Sequence, residues 1–195
     1  MPANYKIEIL SGASIRPLLP ELAKLRIKIF REYPYLYEGS EEYEKHYLER
    51  YAESPSSILV IARNLQGAIV GASTGNAMEN EMGEVAKPFV EAGYDTNDFY
   101  YFAESVLLPE YRGQGIGKDF MQARLNKAAE QKKKYAAFCS VMREGVAPQN
   151  YNSPEYLWKK QGFEKHPELV SYFSWKDIGD EVETRKPLVY WLKKL

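Results

Sequence analysis

The chain has 195 residues, enough to bury a substantial core. Its 26 basic and 27 acidic residues nearly cancel, which speaks against a nucleic-acid surface, and no block of like charge reads as a tail. One cysteine, Cys139, excludes an internal disulfide framework; His46 and His166 lie far apart with no metal-ligand spacing; and no apolar run approaches the ~20 residues of a membrane span. The opening stretch, Met1 to Lys6, has no apolar leader region, so a cytoplasmic protein without metal, nucleic-acid or membrane partners is expected.

Tyr5 to Leu10 alternates as a strand does. Leu18, Leu22, Leu25 and Ile29 then recur at helical spacing until Pro34 stops the pattern. Residues 33–39 form a loop dense in tyrosine, with Tyr33, Tyr35 and Tyr37 in it. Ser40 suits an N-cap, Glu41 and Glu42 suit the first turn behind it, and Tyr43, Tyr47 and Tyr51 share one helix face at four-residue steps. Ile58 to Arg63 and Ala68 to Gly75 read as a hairpin turning at Gly67. Residues 78–98 are a polar insertion in which Val85, Phe89 and Val90 hint at a short helix.

Phe99 to Leu108 reads as a strand that feeds a glycine-rich turn, and a helix follows from about Gly115 to Lys133. Phe120, Met121, Leu125 and Ala128 form its apolar stripe; Arg124 interrupts that stripe, and nothing in the sequence accounts for it. Tyr135 to Met142 reads as a buried strand in which Cys139 is a small apolar residue. A long loop reaches Tyr151, Ser153-Pro154 opens a short helix through Lys160, and Gly162 caps it. Val170 to Trp175 and Leu188 to Leu192 complete the series as two strands. The alternation of strands and helices predicts an α/β architecture around one mixed sheet.

The turn itself runs Arg112-Gly113-Gln114-Gly115-Ile116-Gly117-Lys118. Glycines at alternate positions let main-chain N–H groups converge at a helix N-terminus, where an anion is favoured. The dinucleotide fingerprint needs its third glycine three residues after the second, and the P-loop needs a hydroxyl after Gly-Lys; Gly117 and Asp119 fail these two requirements. An apolar strand, then Arg-Gly-Gln-Gly-Ile-Gly, then a helix resembles the acyl-coenzyme A loop of GNAT-type N-acetyltransferases. Leu157-Trp158-Lys159-Lys160-Gln161-Gly162-Phe163 is similar to that family's helix end, with Trp158 where tyrosine is usual. The likeness extends from roughly Ile58 to Phe163.

The resemblance implies one acyl-CoA N-acyltransferase domain over 1–195, with a mixed, mostly antiparallel sheet of about seven strands flanked by helices. It implies acetyl-CoA as co-substrate and a small-molecule or peptide amine as acceptor. Val106 and Leu107 would bind the pantetheine arm as an added strand; Arg112, Gly113, Gln114, Gly115, Ile116, Gly117 and Lys118 would hold the diphosphate; Asn152 and Trp158 would also touch the cofactor. Attack requires a neutral amine, and Glu104, on the same strand and face as Val106, is the expected base. Because an indole cannot serve as the acid, Tyr151 is the preferred proton donor.

Tyr33, Tyr35 and Tyr37, together with Tyr43 and Tyr47, would line the acceptor pocket. Glu79, Glu81 and Glu84 read more readily as a solvated loop than as charge at its mouth. Pairing of two copies through the C-terminal strands is compatible with such a fold. The competing reading is a non-catalytic acyl-CoA-binding regulator, for which the missing helix tyrosine is the best support.

Overall fold

The computed structural model describes residues 4–195; the first three, part of the stretch read as lacking a leader, lie outside the described residues. Seven strands form one sheet: β1 (Tyr5–Leu10), β2 (Ile58–Asn64), β3 (Ile69–Ala77), β4 (Phe99–Leu107), β5 (Tyr135–Val141), β6 (Glu164–Trp175) and β7 (Thr184–Lys194). Their spatial order is β1-β2-β3-β4-β5-β7-β6, and only β4 and β5 run parallel. The helices are α1 (Leu19–Phe30), α2 (Glu41–Glu53), α3 (Gly83–Glu91), α4 (Ile116–Glu130) and α5 (Glu155–Lys160). No helix among the described residues is long and apolar enough to cross a membrane.

Two cores flank the sheet. On one face Ile116, Phe120 and Met121 of α4 pack with Tyr100, Phe102, Phe163 and Trp191. On the other, Leu19, Leu22 and Leu25 of α1 and Leu48 and Tyr51 of α2 pack over Leu59, Ile61 and Val106. The insertion contributes a full α-helix with a cluster of its own: α3 buries Val85 and Phe89 beside Phe99 and Tyr190. Ser40 does cap α2, its Oγ accepting the Tyr43 N–H at 3.3 Å. The tyrosine stripe drifts, because four residues turn a helix by about 400° rather than 360°. Tyr51 is fully buried, Tyr47 half-buried and Tyr43 exposed.

The last two strands are longer than their apolar runs. A register shift between His166 and Val170 lets β6 begin six residues earlier, at Glu164, with Pro167 inside it. β7 carries Lys186 and Pro187 in its first half, which hides the alternation.

Two irregularities in β4 shape the centre of the molecule. Ser105 opposes Ser73 while Phe102 opposes Gly75, so Ala103 and Glu104 together face the single residue Thr74: a β-bulge. In addition β4 pairs with β5 only through residues 99–101, against 135–137; beyond that the two strands diverge and leave the end of β4 with a free edge.

Arg124 is explained by the bulge. It is buried, its Nη1 donates to the carbonyls of Thr74 (3.4 Å) and Glu104 (3.3 Å), its Nη2 donates to Ser105 Oγ (2.8 Å), and its guanidinium lies over the Phe102 ring. Burial pushes its pKa down to about 10, which still leaves it charged at neutral pH. An irregular strand orphans carbonyls, and a buried guanidinium can serve several at once. Arg124→Met is therefore expected to lower the unfolding free energy by about 2–3 kcal/mol, the scale of charge-assisted hydrogen bonds lost from buried acceptors. Urea denaturation measures it, and an unchanged midpoint would refute the assignment.

Candidate active site

The glycine turn joins the free edge of β4 to α4. Gly113 and Gly115 take φ of +75° and +98°, which L side chains rarely adopt, and Gly115 is the N-cap of α4. Ile116, fully buried, anchors the helix start in the core. The first helical bonds run from the amides of Lys118 and Asp119 to Gly115 O. The amides of residues 113–117 thus have no acceptor among the described residues, and they lie at the positive end of a 15-residue helix. A Cβ built on Gly113 would meet nothing within 4 Å. Leu157 of α5 lies against the other side of the turn, 3.5 Å from a Cβ built on Gly117.

The β4 edge continues this surface. Leu108 N–H donates to Val70 O, so by antiparallel alternation Val106 exchanges its main-chain bonds with Ala72. The polar groups of Ser105 and Leu107 point the other way, toward the gap beside β5. Arg112 Nε takes the Leu107 carbonyl at 3.1 Å, which leaves the Leu107 N–H unclaimed.

On the opposite face of β4 lies a buried polar cluster. Glu104 Oε1 is 2.8 Å from Arg26 Nη1, and Glu104 Oε2 accepts from Tyr47 Oη at 3.3 Å. Arg26 also pairs with Glu44, which is fully buried. The guanidinia of Arg26 and Arg50 bracket the Tyr47 ring at 4.4 and 4.2 Å from its centroid. Burial raises the Tyr47 pKa, and the Glu104 charge raises it further, so Tyr47 stays a neutral donor.

The tyrosine loop reaches this cluster. Tyr35 packs between Phe30 and Trp175, and its raised pKa comes from burial and then from Cys139, with Arg26, Tyr47 and Glu104 also within electrostatic reach. Tyr37 is raised by burial and then by the Glu44 carboxylate. Tyr33 packs edge-on against Tyr151, ring centroids 4.8 Å apart, so a residue from the loop before α5 meets the loop after α1.

Arg143 fixes the loop in place. It donates to Pro34 O and Tyr35 O and forms a bidentate pair with Asp177 at 2.7 and 3.0 Å. Burial by itself would raise Asp177, but Arg143 and Lys186 overcome it and hold the carboxyl below its ordinary value. That stabilisation is complete above the unfolded pKa, about 3.9, and is lost as the pH falls through the lower folded value. Arg143→Met is expected to be less stable at neutral pH and to lose Tm less steeply than the parent below about pH 4. Parallel acid limbs in a scanning-calorimetry series would contradict the pairing.

Residues 21–163 match the family model described as the acetyltransferase (GNAT) family. The chain belongs to the GNAT acetyltransferase family. It is an acyltransferase, and its seven-stranded, mostly antiparallel sheet flanked by helices is the GNAT fold. The ribosomal-protein-alanine N-acetyltransferase of Brucella melitensis is similar at TM-score 0.63 and 15% identity, over 96% of this chain and 99% of that one. A GNAT-family acetyltransferase of Streptococcus pneumoniae is similar at TM-score 0.60 and 14% identity, over 97% and 100%. yncA of Salmonella typhimurium, solved with acetyl-CoA, is similar at TM-score 0.61 and 10% identity, over 98% and 94%. At such identities the likeness is one of fold. No curated protein matches the chain.

Within this GNAT fold the expected site residues fall into two groups. Gly113, Gln114, Gly115, Ile116, Gly117, Lys118 and Leu107 border the turn and the free edge. Glu104, Tyr35 and Tyr37 border the buried cluster on the other side of β4, and Tyr33 and Tyr151 meet each other.

Three of the expected residues also make contacts within the fold. Val106 turns its side chain into the α1–α2 core and its amide into β3. Arg112 is held by Glu32 at 2.8 Å as well as by Leu107 O. Trp158 packs on Phe138 and Trp191, so Leu157 is the α5 residue beside the glycine turn. Asn152 is exposed in the loop before α5. Sequence reading missed Tyr47 as a partner of Glu104, and also Arg26 and Glu81; none carries a local signal, since each is defined by a residue distant in the chain.

Proposed function

We propose that the protein transfers the acetyl group of acetyl-CoA to a primary amine of a small molecule or peptide by direct attack. The observation that supports this best is the meeting of three features at one bulged strand: five unpaired amides at a helix N-terminus, a free β-edge, and a buried carboxylate behind it. Residues 113–117 fit a diphosphate, because their N–H groups lack acceptors, the space beside Gly113 is open, and Lys118 has no ion-pair partner among the described residues. Ser105 and Leu107, facing the gap beside β5, suit an extended amide-bearing arm laid along the strand.

Bound acetyl-CoA supplies an activated thioester. The N–H of Leu107 would be available to the thioester carbonyl oxygen, which would gain negative charge as the amine nitrogen bonds to carbon and return it when the carbon–sulfur bond breaks and the pair leaves on sulfur. Glu104 takes the proton the amine gives up. Arg26 and Tyr47 hold one Glu104 oxygen each and so fix the carboxylate. Val106 and Arg112 serve at one remove, the first by packing β4 and the second by satisfying the Leu107 carbonyl.

Tyr151 is the available hydroxyl for the leaving thiolate. Burial pushes its phenol up, which makes it a weaker acid, but a thiol of pKa about 8.5 needs little assistance at neutral pH. Tyr33, Tyr35 and Tyr37 would present aromatic faces to an amine acceptor. The test is thiol release from acetyl-CoA with a panel of alkylamines, amino acids and peptides with free N-termini. Release with at least one class is expected; acetyl-CoA binding without release across the panel would overturn the reading.

A further inference from the structure

Glu81 lies just beyond a short 3-10 turn at the end of β3, and its side chain is wholly buried. Arg50 Nη2 is 3.0 Å from its Oε2 but off the line of a hydrogen bond, and Asn76 and Tyr51 are the other polar groups beside the carboxylate. The same Nη2 donates to Tyr51 Oη at 2.8 Å. Tyr51 Oη lies 3.3 Å from Tyr47 Oη, which lies 3.3 Å from Glu104 Oε2. A continuous chain of polar contacts, none longer than 3.3 Å, therefore joins Glu81 to Glu104.

The groups facing Glu81 are Tyr47, Arg50 and Tyr51 from α2, Asn76 from β3 and Glu104 from β4, with Tyr100 of β4, Cys139 of β5 and Tyr190 of β7 further off. Burial raises the tyrosines and Cys139, so all stay neutral. Nearby Glu79 is cancelled by Lys133 at 2.6 Å. What remains is Arg26, Arg50 and Arg124, the last within electrostatic reach of Glu104, against Glu44, Glu104 and Glu81: three positive groups and three carboxylates.

We propose that Glu81 and Glu104 are a coupled carboxylate pair and that the proton on Glu81 sets the charge of the acceptor end, one positive charge with the proton and neutral without it. An acceptor arriving as an ammonium cation is repelled by that positive charge, so it binds the ionised form and releases the Glu81 proton to solvent. This rests on the acyl-transfer reading above.

Burial and the neighbouring Glu104 charge outweigh Arg50, Asn76 and Tyr51 and together push Glu81 up to about 7, in the range where such a switch operates. A carboxyl raised in the folded state favours folding below its unfolded pKa, and that contribution declines until the pH passes the folded value.

The test is a ¹³C NMR titration of glutamate side-chain carboxyls in the full chain, with Glu81 assigned by the signal lost in Glu81→Gln. The expected midpoint lies near 7, moves down in Glu104→Gln because a like charge is removed, and moves down with ethylammonium chloride relative to an equal concentration of potassium chloride. A midpoint in the ordinary glutamate range near ~4.3, or one that ignores Glu104→Gln, overturns the coupling. A midpoint that ignores ethylammonium overturns the cationic acceptor. Should Glu104→Gln not fold, Tyr47→Phe cuts the chain in its place and should also move the midpoint. Calorimetry with acetyl-CoA separates the readings: no binding sinks acyl transfer, whereas binding with an uncoupled Glu81 sinks only this proposal.

Discussion

Gly115→Glu is expected to weaken CoA binding by at least about 100-fold, or some 2.7 kcal/mol, while leaving a folded protein. Two effects act in the same direction. A φ of +98° strains any L side chain by about 1–2 kcal/mol, which shifts the amides of the turn. The new carboxylate would also stand among the five unpaired N–H groups and repel a diphosphate. Folding should survive, because position 115 is exposed and its Cβ would meet only the Tyr5 hydroxyl, at 3.4 Å. Gly115→Asn separates the two effects. Asparagine tolerates positive φ and carries no charge, so it should bind CoA better than the glutamate variant. Titration calorimetry decides the matter, and parental affinity in Gly115→Glu would remove the turn from the binding site.

The second large effect is expected at Glu104. Replacement by glutamine keeps the shape and an oxygen for Tyr47 or Arg26, but it removes the proton acceptor. Turnover should fall about 100-fold or more, the usual contribution of a positioned base. The deficit should shrink as the pH rises toward 10, because the neutral fraction of an alkylamine of pKa ~10.4 grows with each unit. Acetyl-CoA affinity should not change, since Glu104 lies on the far face of β4 from the glycine turn. The ion pair with Arg26 is buried, so a fall in Tm of several degrees is also expected. An undiminished rate at pH 7 would exclude Glu104 as the base, and a deficit constant from pH 7 to 10 would leave it a structural role only.

The parts of this site that could be read from sequence are those with local causes. Gly113, Gly115 and Gly117 mark the turn because their spacing and the apolar strand before it lie within ten residues. Ser40 marks α2 for the same reason. The bulge at Ala103 and Glu104 left no such trace. Neither residue is glycine or proline, and the extra residue exists only relative to Thr74 on the neighbouring strand. Arg124 could not be understood until that bulge was known.

Glu81 escapes a local reading for a related reason. Glu-Asn-Glu-Met-Gly-Glu reads as a solvated loop, and only the approach of Arg50 from α2 explains a buried carboxyl there. The halves of β6 and β7 that escaped the apolar pattern are held by ladder bonds to each other, which alternation of side chains does not report.

The position of β7 has a consequence for synthesis. It sits between β5 and β6, both of which leave the ribosome before it, so a nascent chain carries two bare strand edges until Thr184 to Lys194 emerges. The sheet cannot be finished progressively from one side. Its closure is a late, long-range event, and translation slowed near that point would prolong the interval in which the two edges can be captured by a chaperone or by another nascent copy.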